Sequence, residues 1–288
     1  MDQAQKLRDI VKDVREDEIL NSTYSRDSRI ITVSSGKGGV GKTNFTVNLG
    51  IALSKQGKRV TIIDADLGLA NVDVILGIIP RYTLSHIVRN EKTIEEIMLE
   101  GPHGLKVISG GSGMLDLVNL KDDQIDSLIH TFDKLNEISD YILIDTGAGL
   151  NNSVLSFIRA ASDVVVVITP DPTSITDAYA LIKNISEEEN HINLVINRVE
   201  SAKEGTEVFG KLERAAKKFL KIELNNLGYI YEDNNVKKSV RLQKPFSVEY
   251  PNSIATKGIE LIAYNLVNKE NKVATVNKFS AFINKLFR

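Results

Sequence analysis

From residue 29 onward, short β-branched runs alternate with longer stretches in which apolar residues recur every three or four positions. The first period fits strands and the second fits helices with one buried face. Strands are predicted near 29–34, 59–63, 105–108, 140–145, 163–169, 192–196 and 227–231. Helices are predicted over 44–56, 122–137, 151–161, 175–187, 203–220 and 254–268. The longest unbroken apolar run, Val164 to Ile168, is far too short to span a bilayer and fits a strand buried on both faces. The alternation predicts an α/β fold: a doubly wound, mostly parallel sheet with helices on both faces. One domain over 29–268 would carry an extension, 1–28, a linker, 269–275, and a terminal helix, 276–288. No internal repeat at solenoid spacing interrupts this scheme.

The chemistry concentrates where predicted strands end. Ser35-Gly36-Lys37-Gly38-Gly39-Val40-Gly41-Lys42-Thr43 follows the first strand and opens a helix. Its glycines let successive N–H groups of Gly38, Gly39, Val40 and Gly41 turn toward a di- or triphosphate, with Asn44 just behind. Lys42 would reach the β/γ-phosphates, and the Thr43 hydroxyl would hold Mg²⁺. Asp64 and Asp66 end the second strand, with Asn71 in the loop beyond, at the edge where doubly wound sheets bind ligands. Tyr141-Ile142-Leu143-Ile144-Asp145 is an apolar strand ending in a carboxylate, suited to Mg²⁺ through water, and Gly147 and Gly149 follow. The four histidines are isolated, and no His, Ser or Cys grouping suggests covalent catalysis.

Composition narrows the classes. A net charge of −2 argues against a DNA-coating surface, so no specific nucleic acid is expected as a partner. The absence of cysteine excludes disulfides and thiolate-bound clusters and fits a reducing cytosol. A charged N-terminus does not have the pattern of a secretory signal.

Both ends are amphipathic. Beyond Glu270 the only charges are Lys272, Lys278, Lys285 and Arg288, while Val276, Phe279, Phe282, Ile283, Leu286 and Phe287 fall on one helical face. That pattern predicts an in-plane helix on anionic membrane lipid, the competing reading being a helix docked on its own core. Leu7, Ile10, Val11 and Val14 mark a second short amphipathic helix.

The second lysine of the loop, Lys37, gives it the form KGGxGK[ST], which resembles the deviant Walker A motif of MinD/ParA P-loop ATPases. The resemblance covers roughly residues 29–268. It implies a slow ATP hydrolase using ATP/ADP and Mg²⁺, in which Lys37 reaches the nucleotide of a second copy in an ATP-dependent homodimer. It also implies that Asp66 positions the attacking water and joins Thr43 and Asp145 at the metal. Asp64 and Asn71 would support switch I, Gly149 would sense the γ-phosphate, and Asn197, followed by Arg198, would bind adenine. The family's Ile-Pro-acidic segment departs to Ile230-Tyr231-Glu232. Asp2-Gln3-Ala4-Gln5-Lys6-Leu7-Arg8 is similar to the DQAxxLR element of the flagellar-regulator branch, FlhG (YlxH, FleN). There the element activates FlhF, a GTPase related to those of the signal recognition particle, with Gln3 as the implied contact. That branch implies a cytoplasmic protein, peripheral on the inner face of the membrane in its ATP state, that sets flagellar number and placement and meets C-ring components. Division-site selection of the MinD type and DNA segregation of the ParA type are the alternatives.

Overall fold

The computed structural model describes residues 28–66, 71–111, 134–161, 163–187 and 191–268, together with 282, 285 and 286. The remaining residues lie outside the description, among them Gln3, the linker 269–275, Phe279, Ile283 and Phe287. The strands are β1 Arg29–Ser35, β2 Val60–Ala65, β3 Leu99–Glu100, β4 Lys106–Ser109, β5 Tyr141–Ala148, β6 Asp163–Ile168, β7 His191–Val199 and β8 Asn225–Tyr231. They form one eight-stranded sheet in the order β3-β4-β2-β5-β1-β6-β7-β8. Every neighbouring pair is parallel except the edge pair β3 and β4.

The helices are α1 Lys42–Lys55, α2 Val72–Leu76, α3 Leu84–Val88, α4 Ile94–Ile97, α5 Asn152–Ala160, α6 Pro172–Ile185, α7 Ala202–Ala215, α8 Asn234–Arg241, α9 Phe246–Glu249 and α10 Ile254–Asn268. The period of two in the strands sorts them into two layers. Along β6, Val164, Val166 and Ile168 join α5, α6 and α7 in one core. Val165 and Val167 join α1 and α10 in the other. All five side chains are fully buried, so the apolar run predicted as a two-sided strand is one.

Polar ties close the sheet end remote from the strand tips. Arg29 donates to both carboxylate oxygens of Asp163, at 2.9 and 3.1 Å, and its Nη1 donates to the Leu266 carbonyl of α10 at 3.0 Å. The bidentate fork pins the start of β1 to β6 and to the last helix of the domain. The opposite ends of β1, β2 and β5 converge, and there the loops open into a cavity.

Two differences from the sequence expectations stand out. The edge strand β3 and the short helices α2, α3, α4, α8 and α9 were not foreseen. The helix expected over 203–220 is α-helical only to Ala215, and Ala216–Leu220 is a π-helical turn. Of the helix expected over 122–137, residues 134–137 are described, and they are helical as expected.

Candidate nucleotide-binding site

The loop between β1 and α1 needs glycine at definable points. Gly39 and Gly41 have φ of 79° and 93°, the left-handed region that suits glycine. Gly36 lies against the backbone of α6, where a Cβ would overlap Asp177 and Ala178. Gly41 leads directly into α1, whose first turn carries no acidic residue, so the helix end presents N–H groups and a favourable dipole to an anion.

Lys42 and Asp145 form the buried centre. Their side chains are 7% and 1% exposed, and Lys42 Nζ lies 3.0 Å from Asp145 Oδ1. Thr46, one turn along α1, donates its hydroxyl to the same oxygen at 2.8 Å. Asp145 Oδ2 is buried without a hydrogen-bond partner. An acceptor left open beside a phosphate loop suits a hard cation. Thr46 escaped the sequence reading, although its place one turn beyond Lys42 on a single helical face was a usable signal.

Asp64 and Asp145 are register partners on adjacent strands β2 and β5. Asp64 is fully engaged with backbone. Its Oδ1 accepts from Asp66 N at 3.1 Å, and its Oδ2 accepts from Asn71 N and Val72 N at 3.0 and 3.1 Å. It therefore ties the end of β2 to the start of α2. Burial, and secondly the nearby Asp145 charge, push the Asp64 carboxyl up to about 6, against the pull of its N–H donors. Because the folded value is raised, the contribution of Asp64 is most stabilising below the ordinary carboxylate pKa. It is lost as pH rises toward 6. Wild-type unfolding free energy should thus fall by up to about 3 kcal/mol more than that of Asp64→Asn between pH 4 and pH 7. Parallel stability curves from urea titration would contradict this.

The structure brings most of the predicted site residues to one cavity of about 690 Å³. Gly38 to Asn44, Asp66 and Asn71 line its phosphate end, and Asn197, Arg198, Tyr231 and Val236 line the other. Asp66 also lies beside Gly147, in the Gly147–Gly149 segment that the family resemblance reads as switch II: a Cβ on Gly147 would sit 3.4 Å from its Oδ1. Three other residues make contacts within the chain in this conformation. The N–H of Gly149 donates to Ser35 O at 2.9 Å, so in this conformation it is committed to the β1 end. Asn197 donates from Nδ2 to Val40 O at 2.7 Å and accepts from Arg198 N at 3.0 Å. The amide expected on a base thus holds the phosphate loop. Lys37 is exposed and donates to Thr173 Oγ1 at 2.8 Å, at the start of α6.

The ParA family profile, described as NUBPL iron-transfer P-loop NTPase, matches residues 27–267. The chain belongs to the ParA/MinD family of P-loop NTPases. FleN of Pseudomonas aeruginosa, an antiactivator, is 40% identical over 237 residues, which are 82% of this chain and 85% of that protein. YlxH of Helicobacter pylori, a flagellum site-determining protein, is 38% identical over 245 residues, 84% of this chain and 83% of its own. Among solved structures, the MinC:MinD cell division complex of Aquifex aeolicus has a TM-score of 0.68 at 26% identity. The match covers 87% of this chain and 99% of that one. The iron transfer in the profile's description has no thiolate ligand to work through here, because the ParA/MinD chain lacks cysteine.

The residues of this ParA/MinD site fit a nucleotide with Mg²⁺. Thr43, Asp145 Oδ2 and Asp66 are the oxygen donors that would hold the cation, and Mg²⁺, when bound, neutralises charge on the phosphate oxygens. Lys42 is paired with Asp145 here; with a nucleotide and Mg²⁺ bound, Lys42 would offset phosphate charge and Asp145 would help hold the cation. The Asp66 carboxylate lines the same cavity, where it would be able to accept a hydrogen bond from a bound water.

Proposed function

We propose that this chain is an ATP hydrolase that works as a dimerising switch, cycles between cytosol and the inner face of the membrane, and regulates flagellar number and placement. The observation that carries the reading is the paired Lys37 and Lys42 loop in a chain that resembles FleN and YlxH over more than four-fifths of its length. Lys37 crosses to the nucleotide of the second copy, so two ATP-loaded chains complete each other's sites. Hydrolysis is slow because Asp66 and two lysines are the only groups assigned to it. C-ring components are further partners.

Through Gln3 the N-terminal element stimulates the GTPase FlhF. The test is GTP turnover by FlhF with the full-length ATP-bound protein and with a peptide of residues 1–20. Stimulation lost with Gln3→Ala supports the reading. No stimulation by either form removes it and favours division-site selection, for which the 36% identity to MinD of Synechocystis over 178 residues is the supporting observation.

Membrane attachment rests on residues 276–288, whose sequence pattern would put Phe279, Phe282, Ile283, Leu286 and Phe287 on one face of a helix. No helix among the described residues is long and apolar enough to cross a membrane. In this conformation the described part of the tail is docked. Phe282 is 2% exposed, and its ring lies 6.4 Å from that of Phe157 on α5. Leu286 packs on the same core while Lys285 faces solvent. Helix α5 begins just past Gly149, so a movement of switch II reaches the seat of Phe282 directly. Phe157→Ala should therefore raise pelleting with anionic vesicles in ADP toward the ATP level, by about tenfold for two anchors acting together. Equal pelleting of wild type and variant in ADP would refute the coupling.

A further inference from the structure

Helix α10 buries Ala255, Ile259, Ile262, Ala263 and Leu266 against the sheet and α1. Its outer side is not polar. Ile254, Leu261 and Tyr264 are 49%, 58% and 58% exposed, and with Lys257 between them they follow the i, i+3, i+7, i+10 spacing of a helix-packing seam. We infer that this seam is the docking surface for the N-terminal segment of the same chain, with Leu7, Ile10, Val11 and Val14 as the opposing face.

The choice of occupant follows from where the chain ends lie. The description of the chain begins at Ser28, and the next residue, Arg29, donates to the carbonyl of Leu266, within one helical turn of Tyr264. Ser28 itself donates to the Ser139 carbonyl at 2.7 Å, so the N-terminal segment leaves from the end of the sheet that the C-terminal end of α10 also reaches. The stretch between Val14 and Ser28 can span about 45 Å when extended, against about 22 Å for all of α10. The other stretches outside the description lead elsewhere. Phe282 and Leu286 place the C-terminal tail in the α5 layer, on the opposite face of the sheet. The stretch after Gly111 returns at Leu135, in that same layer. Charge is compatible: Asp13, at the border of the segment's apolar face, has the sign opposite to Lys257 within the seam.

Docking would sequester the residues around Gln3. In that respect the inference deepens the FlhF reading, but it rests only on the helical pattern of residues 7–14. The chain lacks cysteine, so a disulfide can be placed cleanly. Full-length protein carrying Val11→Cys with Leu261→Cys, oxidised at low concentration, should form an intramolecular disulfide, seen as loss of two hydrogens in the intact mass. The control pairs Val11→Cys with Phe219→Cys, an exposed site bordering the opposite layer, and should give about a tenfold lower yield. In the otherwise unmodified chain, Leu261→Glu should speed tryptic cleavage after Lys6, Arg8 and Lys12 by about tenfold. Equal disulfide yields from the two pairs, or unchanged cleavage, overturn the inference. A disulfide between two chains overturns it as well and assigns the seam to a second copy. None of these readouts involves FlhF, so the docking and the stimulation of FlhF stand or fall separately.

Discussion

Lys42→Ala should lose nucleotide turnover by about 10³-fold and also lose about 3–5 kcal/mol of stability. The two losses have different origins. Turnover falls because the cation that offsets phosphate charge is removed from a water-poor site. Stability falls because Asp145, 1% exposed, keeps its buried charge without the lysine 3.0 Å away. Thr46 still donates to Asp145, but a neutral hydroxyl offsets only part of the deficit. A second change separates the effects. Lys42→Met with Asp145→Asn replaces the ion pair by groups of similar shape and should recover stability to within about 1 kcal/mol of wild type, with turnover still absent. Chemical denaturation and phosphate release measured on the three proteins give the answer. If the single variant is as stable as wild type, the ion pair is not what holds β5 to α1.

Gly36→Ala should be the most damaging single methyl group in the loop. At Gly36 a Cβ would meet backbone atoms of α6, among them Ala178 N at 2.7 Å, and backbone cannot swing aside. Either α6 or the loop must shift, at about 1–3 kcal/mol. A shift near 1 Å in the phosphate cradle lowers activity by about 10²-fold. Gly38 is the contrast, because a Cβ there meets nothing within 4 Å. Gly38→Ala should leave the melting temperature nearly unchanged, within about 0.5 kcal/mol in stability. Thermal unfolding and ATP affinity of the pair test this, and equal melting temperatures would show that α6 yields more easily than its packing implies.

The sequence was most informative where burial is two-sided or where glycine is required by backbone geometry. Val164 to Ile168 could be assigned because a parallel strand inside two layers has no polar face. The phosphate loop stood out because few other arrangements need glycine at that spacing. By contrast, β3 is two residues long and antiparallel, so it has no period to detect. Helices α3 and α4, of five and four residues, are held by capping boxes at Thr83 and Thr93 and by buried Leu84, Ile87, Ile94 and Ile97, not by propensity. Within the site, strand-end carboxylates were legible one by one, but their division of labour was not. Asp64 spends its oxygens on the backbone of Asp66, Asn71 and Val72, whereas Asp145 keeps one open. The contacts of Asn197 with Val40 and of Lys37 with Thr173 join residues 157 and 136 positions apart, which no local pattern encodes.

The grip of Thr173 on Lys37 has a kinetic meaning. Its acceptor is a neutral hydroxyl at an exposed position, a bond of about 1 kcal/mol, whereas a carboxylate there would hold the ammonium group far more firmly. The bond holds the lysine in one place, yet letting go costs little. If two chains pair as proposed, the rate of pairing should be limited by how often they meet with ATP in place, and the lifetime of the pair by the phosphates that would replace the hydroxyl.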